Sequence, residues 1–400
     1  MSGPAAAARA ADWRLGAFFA AYFATAGIFV PYFPLYLQDR GLTAAQIGIV
    51  LAMMQGMRVV GPNLWGYLAD RTSHRIAILR GTALATAVCF AAILLAGGFG
   101  WVFAVMLAVS LFITAQIPVG EAITAARLRI DGSGAARYGR LRAWGSIGFI
   151  TLVLAAGPLF DRIGIGWQAH VALALLALSA VTTFLIEEPP GRASQHPGVS
   201  VRERLAEPRV RWFLASAALM VFAHGAYYTY FSLHLAQLGY SKTQIGLFWV
   251  AGVVAEIAVF YTQGRFFECF GAFRLLAASF LLAALRFFLV AEFAHLWLLL
   301  FVAQVLHAAT FAVHHSASIM TIQQWFPGRA GARGQAIYIS IGYGVGGTAG
   351  SLVAAWLWSA FGPAIAFLSS SAAALAGWWA VHRTRAHDRT MHARAATSAG

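Results

Sequence analysis

Charge is scarce in this chain. Only 10% of its 400 residues are Asp, Glu, Lys or Arg, against about 25% in an ordinary soluble domain. That shortage excludes a water-facing globule. Lysine is almost missing, with Lys242 alone among 28 basic residues. Cysteine is limited to Cys89 and Cys269, which excludes a disulfide framework and a cysteine metal cage. Long disorder is excluded by the 60% of hydrophobic side chains, which demand burial. No P-loop, HExxH or GxSxG motif is present, so an enzyme is not expected, nor a cofactor or a metal.

Apolar residues fill the space that charge leaves. Mean hydropathy is +0.70, and apolar stretches long enough for a membrane helix of about 20 residues recur along the whole chain. Twelve spans can be drawn, at 13–37, 44–67, 76–98, 101–125, 138–160, 167–186, 210–236, 243–264, 275–293, 296–323, 334–359 and 363–381. The expected fold class is therefore an all-α membrane protein of twelve transmembrane helices in two six-helix bundles. The N-terminus carries Arg9 and Arg14 but no small-residue cleavage site, so the first span is expected to stay in the membrane.

The net charge of +14 reads as topology. No basic stripe carries the polar side chains that read bases, so nucleic acid is not an expected partner. The even-numbered gaps between spans hold Arg71 and Arg75; Arg127, Arg129 and Arg137; Arg192, Arg202, Arg204 and Arg209; Arg265 and Arg274; and Arg329 and Arg333. The odd-numbered gaps hold Arg40, Arg162 and Lys242. Basic loops stay on the cytoplasmic side. Both termini are thus expected in the cytoplasm of a bacterial cell, with the chain in its inner membrane. An even number of spans satisfies that.

The polar stretch 187–209 divides the spans into two sets of six. The expected domains are a bundle over 1–186, a cytoplasmic central loop over 187–209, a second bundle over 210–381 and a cytoplasmic tail over 382–400. The halves also repeat. A shift of 198 residues lays Gly41-Leu42-Thr43-Ala44-Ala45-Gln46-Ile47-Gly48 on Gly239-Tyr240-Ser241-Lys242-Thr243-Gln244-Ile245-Gly246. It also lays Gly66 on Gly264, Asp70 on Glu268 and Arg58 on Glu256. A weaker match, at a shift of 194, lays Ser146-Ile147-Gly148-Phe149 on Ser340-Ile341-Gly342-Tyr343. Parallel repeats of this kind are a transporter feature, with the substrate expected between them near the midplane.

Ionisable side chains inside such spans are costly and call for partners or water. The candidates are Arg58, Glu121, Arg142, Glu256 and Arg286, with His224 and His307. Three arginines against two carboxylates leave an excess positive charge, which suits an anionic substrate. Glu256 lies mid-span between Val254-Ala255 and Ile257-Ala258, where burial disfavours the ionised carboxyl, as a proton carrier requires. Arginine does not readily lose its charge, so Arg286 needs compensation. Glu121 and Arg142 read either as a functional pair or as a structural one near the span ends. His224-Gly225-Ala226-Tyr227-Tyr228 joins a titratable ring to two phenols that can stack on an aromatic substrate. His314 and His315 point about 100° apart on a helix, which argues against a shared metal. His382, His387 and His392 read as a solvated tail.

Gly27, Pro31 and Pro34 are expected to interrupt the first span. The run Gly342–Gly350 supplies small residues for close helix contact. Gly66-Tyr67-Leu68-Ala69-Asp70-Arg71-Thr72-Ser73-His74-Arg75 is the most specific short motif. Asp70, with Arg71 and Arg75, is placed to lock the cytoplasmic side by charge and hydrogen bonding.

That loop and the doubled six-span plan resemble the major facilitator superfamily. Gly27-Ile28-Phe29-Val30-Pro31, Tyr138-Gly139-Arg140-Leu141-Arg142-Ala143-Trp144-Gly145-Ser146, His224-Gly225-Ala226-Tyr227-Tyr228, Gly252-Val253-Val254-Ala255-Glu256, Leu306-His307-Ala308-Ala309-Thr310-Phe311 and Gln335-Ala336-Ile337-Tyr338 resemble its phenylpropionate permease family. They cover nearly the whole chain in order. The resemblance implies proton-coupled uptake of a small aromatic carboxylate such as 3-phenylpropionate. A more distant likeness to the lactose:proton symporter implies that Glu121 and Arg142 match its sugar-binding pair, and Arg286 and His307 its coupling pair. Thr310 stands where that symporter has a carboxylate, which leaves Glu256 as the proton site.

The expected function is a monomeric proton symporter working by alternating access in the lipid bilayer. Glu256 carries the proton with His307, and Arg58, Arg142 or Arg286 receives the substrate carboxylate. Glu121, His224, Tyr227 and Tyr228 complete the substrate site, and Gly66, Asp70, Arg71 and Arg75 form the gate. The rivals are a proton-coupled exporter, a nucleoside or sugar symporter on the same fold, and a membrane sensor.

Overall fold

The computed structural model describes residues 4–72, 74–130, 135–187, 202–327 and 330–398. Among these residues the regular structure is helical, with no strand. The long helices are α1 (Pro4–Asp39), α2 (Ala44–Thr72), α3 (Arg75–Ala91), α4 (Phe99–Ile130), α5 (Ala135–Ile163) and α6 (Gln168–Phe184). They continue as α7 (Pro208–Gln237), α8 (Lys242–Phe270), α9 (Ala272–Phe293), α10 (Trp297–Trp325), α11 (Arg333–Phe361) and α12 (Pro363–Ser398).

Eleven helices among the described residues are long and apolar enough to cross a membrane. The other, α7, is long enough at 30 residues but carries more polar groups. Arg209, Ser216, His224, Thr229, Ser232 and His234 of α7 are all buried. Polar groups turned inward lower the hydropathy of a helix without exposing it to lipid.

Two expectations need correction. Pro31 and Pro34 do not interrupt α1, which runs unbroken over 36 residues. A proline inside a membrane helix is tolerated where neighbouring groups take up the carbonyls it strands. The last helix also continues past 381 to Ser398. Tertiary contacts hold it: Thr384 is fully buried, and Asp388 accepts a 2.7 Å bond from Arg209 of α7.

The chain forms two compact units. One comprises Met1–His196 with Gly239–Val250, the other Pro197–Leu238 with Ala251–Gly400. In the first unit α1 packs on α5 and α6, while α4 packs on α2 and α3. Phe18, Phe19, Ile28, Tyr32 and Phe33 of α1 are at most 1% exposed, so this polar-poor helix is the unit's centre. Arg137 of α5 pairs with Asp12 of α1 at 2.7 Å, and Arg14 pairs with Glu187. The first turns of α8 belong to this unit. Asp161 of α5 accepts hydrogen bonds from the Lys242 and Thr243 amides, each at 2.9 Å, and so caps that helix start.

In the second unit α7 packs on α11 and α12, and α9 on α10 and α12. Its packing repeats that of the first unit at a constant shift of 198. A Cβ on Gly148 would meet the Ala20 carbonyl oxygen at 2.2 Å, and one on Gly346 would meet that of Ala218 at 2.4 Å. Tyr32 packs on Phe160 with ring centres 5.3 Å apart, and Tyr230 on Trp358 at 4.5 Å. The left-handed turn glycines Gly41 and Gly164 (φ 81° and 87°) recur as Gly239 and Gly362 (φ 87° and 86°). The match of Ser146–Phe149 to Ser340–Tyr343 is therefore one helical turn out of register. Short glycine-rich strings align almost equally well at either shift, whereas backbone contact admits only one.

Candidate functional site

The polar groups of the second unit converge on Arg286. It lies in α9 within an apolar sequence, yet it is fully buried. Its Nε donates to the Ala303 carbonyl at 3.0 Å. Its Nη1 donates to His224 Nε2 at 3.2 Å and to the Thr310 hydroxyl at 3.4 Å. The guanidinium carbon lies 4.1 Å from the Tyr227 ring centre, within cation–π range. Its Nη2 has no hydrogen-bond partner among the described residues.

His224 is oriented from its own helix. Its Nδ1 lies 2.8 Å from the Met220 carbonyl, and a carbonyl only accepts, so Nδ1 carries the hydrogen. Nε2 is then left as the acceptor that faces Arg286. The Thr310 hydroxyl donates to the His307 carbonyl at 3.1 Å and accepts from Arg286. Tyr227 donates to Gln304 Oε1 at 2.9 Å. Tyr228 packs beside them, its ring 5.8 Å from His224 and 5.3 Å from Tyr227.

Glu256 stands next to this group rather than inside it. Its Oε1 is 2.8 Å from His307 Nε2, and the two side chains are 13% and 6% exposed. One proton lies between them. Their approach depends on Gly252, one turn before Glu256, where a Cβ would already meet His307 Cδ2 at 3.3 Å. His307 sits at a disturbed stretch of α10, just before a π turn over Ala309–Val313. Such turns widen a helix and recur at functional sites. The structure thus gathers Glu256, His307, Arg286, His224, Tyr227 and Tyr228 in one unit.

The remaining candidates lie in the first unit. Arg142 Nε is 3.8 Å from Glu121 Oε1, with side chains 36% and 39% exposed. The Arg142 guanidinium lies over Phe23, its carbon 4.0 Å from the ring centre. Arg58 is exposed. Of the gate motif, Gly66 has open space where a Cβ would project. Arg71 is exposed and donates to Tyr67 of its own helix at 3.0 Å, and Arg75 opens α3. The side chain of Asp70 lies outside the described residues.

Gln304 and His314 were not singled out as site residues from sequence. Gln304 precedes His307 by three positions and so shares its helix face, a signal that was available. Among the described residues no group of three or more His, Cys, Asp or Glu side chains is placed to hold a metal.

A model of the MFS_1 like family matches residues 12–369. The probable 3-phenylpropionic acid transporter of Escherichia coli (strain K12) is 30% identical over 337 residues, 81% of this chain and 85% of that one. The maltose permease of Geobacillus stearothermophilus is 27% identical over 342 residues, 85% and 86% of the two chains. A single-residue variant of the nucleoside transporter NupG superposes with a TM-score of 0.83 at 16% identity, over 93% of this chain and 99% of that one. That last likeness is one of fold.

Proposed function

The chain belongs to the MFS_1 like family, as a multi-pass membrane transporter and not an enzyme, and from that premise we propose that it couples proton entry to uptake of a small aromatic carboxylate such as 3-phenylpropionate. Glu256 and His307 hold the proton. Arg286 receives the substrate carboxylate, with Tyr227, Tyr228 and His224 around it. Arg58, Glu121 and Arg142 are further substrate-binding residues, and Gly66, Asp70, Arg71 and Arg75 form the gate. The protein works as a monomer by alternating access, in a bacterial inner membrane with both termini cytoplasmic.

One observation carries this reading. Arg286 is fully buried and makes no ion pair within 4.0 Å among the described residues, while the carboxyl that comes near it, Glu256, is engaged by His307. A buried guanidinium without a carboxylate is costly, and an anionic substrate supplies the missing charge. The aromatic walls at Tyr227 and Phe287, with ring centres 4.1 and 5.1 Å from the guanidinium carbon, suit a substrate with a ring. Proton and substrate then couple because each shifts the same conformational equilibrium.

The test is transport by purified protein in proteoliposomes, acid outside, offered labelled 3-phenylpropionate, maltose or uridine. The expected result is accumulation of the aromatic acid, collapsing on addition of a protonophore. Accumulation of the sugar or the nucleoside instead, export, or uptake indifferent to the pH gradient would remove the reading. A sugar has one observation behind it: the half-open Glu121–Arg142 pair, a donor and an acceptor 3.8 Å apart, suits hydroxyl groups.

A further inference from the structure

Beyond His307, α10 carries more buried polar side chains than packing explains. Gln304, His307, His314, Ser318 and Trp325 are all at most 5% exposed. They follow one another at steps of three, seven, four and seven residues along α10, with the π turn over Ala309–Val313 between His307 and His314. Each has an atom without a hydrogen-bond partner among the described residues: Gln304 Nε2, His307 Nδ1, His314 Nε2, Ser318 Oγ and Trp325 Nε1. His315, beside this line, adds its Nδ1. Buried polar atoms normally find partners, and where side chains do not supply them water does.

The line has defined ends. At one end Glu256 faces His307 Nε2 at 2.8 Å, leaving Nδ1 as the second face of the same imidazole. At the other end Trp325 lies under the Arg209 guanidinium, 5.0 Å from ring to carbon. Arg209 in turn holds Glu207 at 2.8 Å and Asp388 at 2.7 Å. Between the ends, His314 is packed edge-on by Phe280 at 5.4 Å, and His315 lies 6.2 Å from the Tyr338 ring. The other ionisable groups around the head of the line are Arg286 on α9 and His224, Tyr227 and Tyr228 on α7.

We propose that this buried polar line along α10 is a hydrated proton path joining the Glu256–His307 pair to the charged groups Arg209 and Asp388. It deepens the reading of Glu256 as the proton site and rests on it. The proton leaves Glu256 for His307 Nε2 while the proton on Nδ1 passes to the first water. One N–H bond forms as another breaks. Water molecules held by His314, His315 and Ser318 hand the proton on, and the imidazole is left neutral with its hydrogen on Nε2. No electron moves. His314 and Ser318 act here as positioning residues for water.

The experiment needs no substrate. Full-length protein is reconstituted in membranes and given a rapid pH jump on the side that carries Asp388. The carboxylic acid C=O band of Glu256, identified by its disappearance in Glu256→Gln, is followed by time-resolved infrared spectroscopy. Protonation is expected to slow by at least an order of magnitude in His314→Phe and in Ser318→Val, and to stay near wild type in His314→Gln, which keeps a polar group. An intact band amplitude reports a folded site, and Ser318→Val serves should His314→Phe fail to fold. Wild-type rates in both apolar variants overturn the path, as does a Glu256 carboxyl that never exchanges its proton. Uptake of 3-phenylpropionate that ignores a pH gradient would remove the proposed function, while the infrared rates would still decide the path.

Discussion

In the first unit Gly148 rides on the Ala20 carbonyl and Tyr32 packs on Phe160. In the second, 198 residues on, Gly346 rides on Ala218 and Tyr230 packs on Trp358. The helix contacts have been kept where backbone meets backbone. The ionisable groups have not. The first unit leaves Arg142 and Glu121 more than one-third exposed and 3.8 Å apart. The second buries Arg286 completely and brings Glu256 to 2.8 Å from His307. Duplicated scaffolds are thus constrained by packing and set loose in their chemistry. A half-exposed pair can bind without gating its charge, whereas a buried pair makes protonation and conformation interdependent.

The sharpest way to test that contrast is to remove charge from each side. Glu256→Gln should reduce pH-gradient-driven uptake of 3-phenylpropionate in proteoliposomes to background while sparing exchange across the membrane. Arg58→Gln, at the repeat-related position, should leave the gradient dependence in place. Equal loss in both would erase the division of labour.

The shared scaffold is tested by its glycines. Gly148→Ala and Gly346→Ala should each destabilise the protein by about 1–3 kcal/mol, since both push a methyl into a backbone carbonyl. Gly342→Ala, whose nearest neighbour would be 3.6 Å away, should be neutral or stabilise by up to about 1 kcal/mol. Unfolding in detergent measures all three, and a costly Gly342→Ala would favour the 194-residue register.

Asp161→Ala should cost about 1 kcal/mol through loss of the cap on α8, read by the same unfolding assay. Exchanging Glu121 for Gln should change stability least, by about 0–1 kcal/mol, because an exposed ion pair contributes little. A loss of several kcal/mol there would mean that the first unit holds its pair as tightly as the second.

Much of this was legible in the chain. The spans follow from apolar length, and the repeat is plain at Gly41–Gly48 and Gly239–Gly246, where turn glycines resist change. Pairing Arg58 with Glu256 by register was visible, as was the oddity of Arg286 inside Leu281–Leu289. The glycine register at 342–350 was not legible, because one-turn shifts of a glycine string look alike in sequence. The continuation of α12 was hidden for another reason. Its residues beyond 381 are polar, and only the Arg209–Asp388 bond shows why they stay helical and packed. The polar α7 falls short on hydropathy for a related cause, since its polar residues face inward.

Composition and periodicity alone determined that this is a helical, lipid-buried, duplicated chain, because the cost of exposing backbone and charge to hydrocarbon leaves few other outcomes. Tertiary structure alone decided which charges meet. Hydropathy reports how much a side chain costs to bury, while partnership depends on which faces of α8, α9 and α10 are turned together. That choice set Glu256 against His307 and left Arg286 without a carboxylate within 4.0 Å among the described residues.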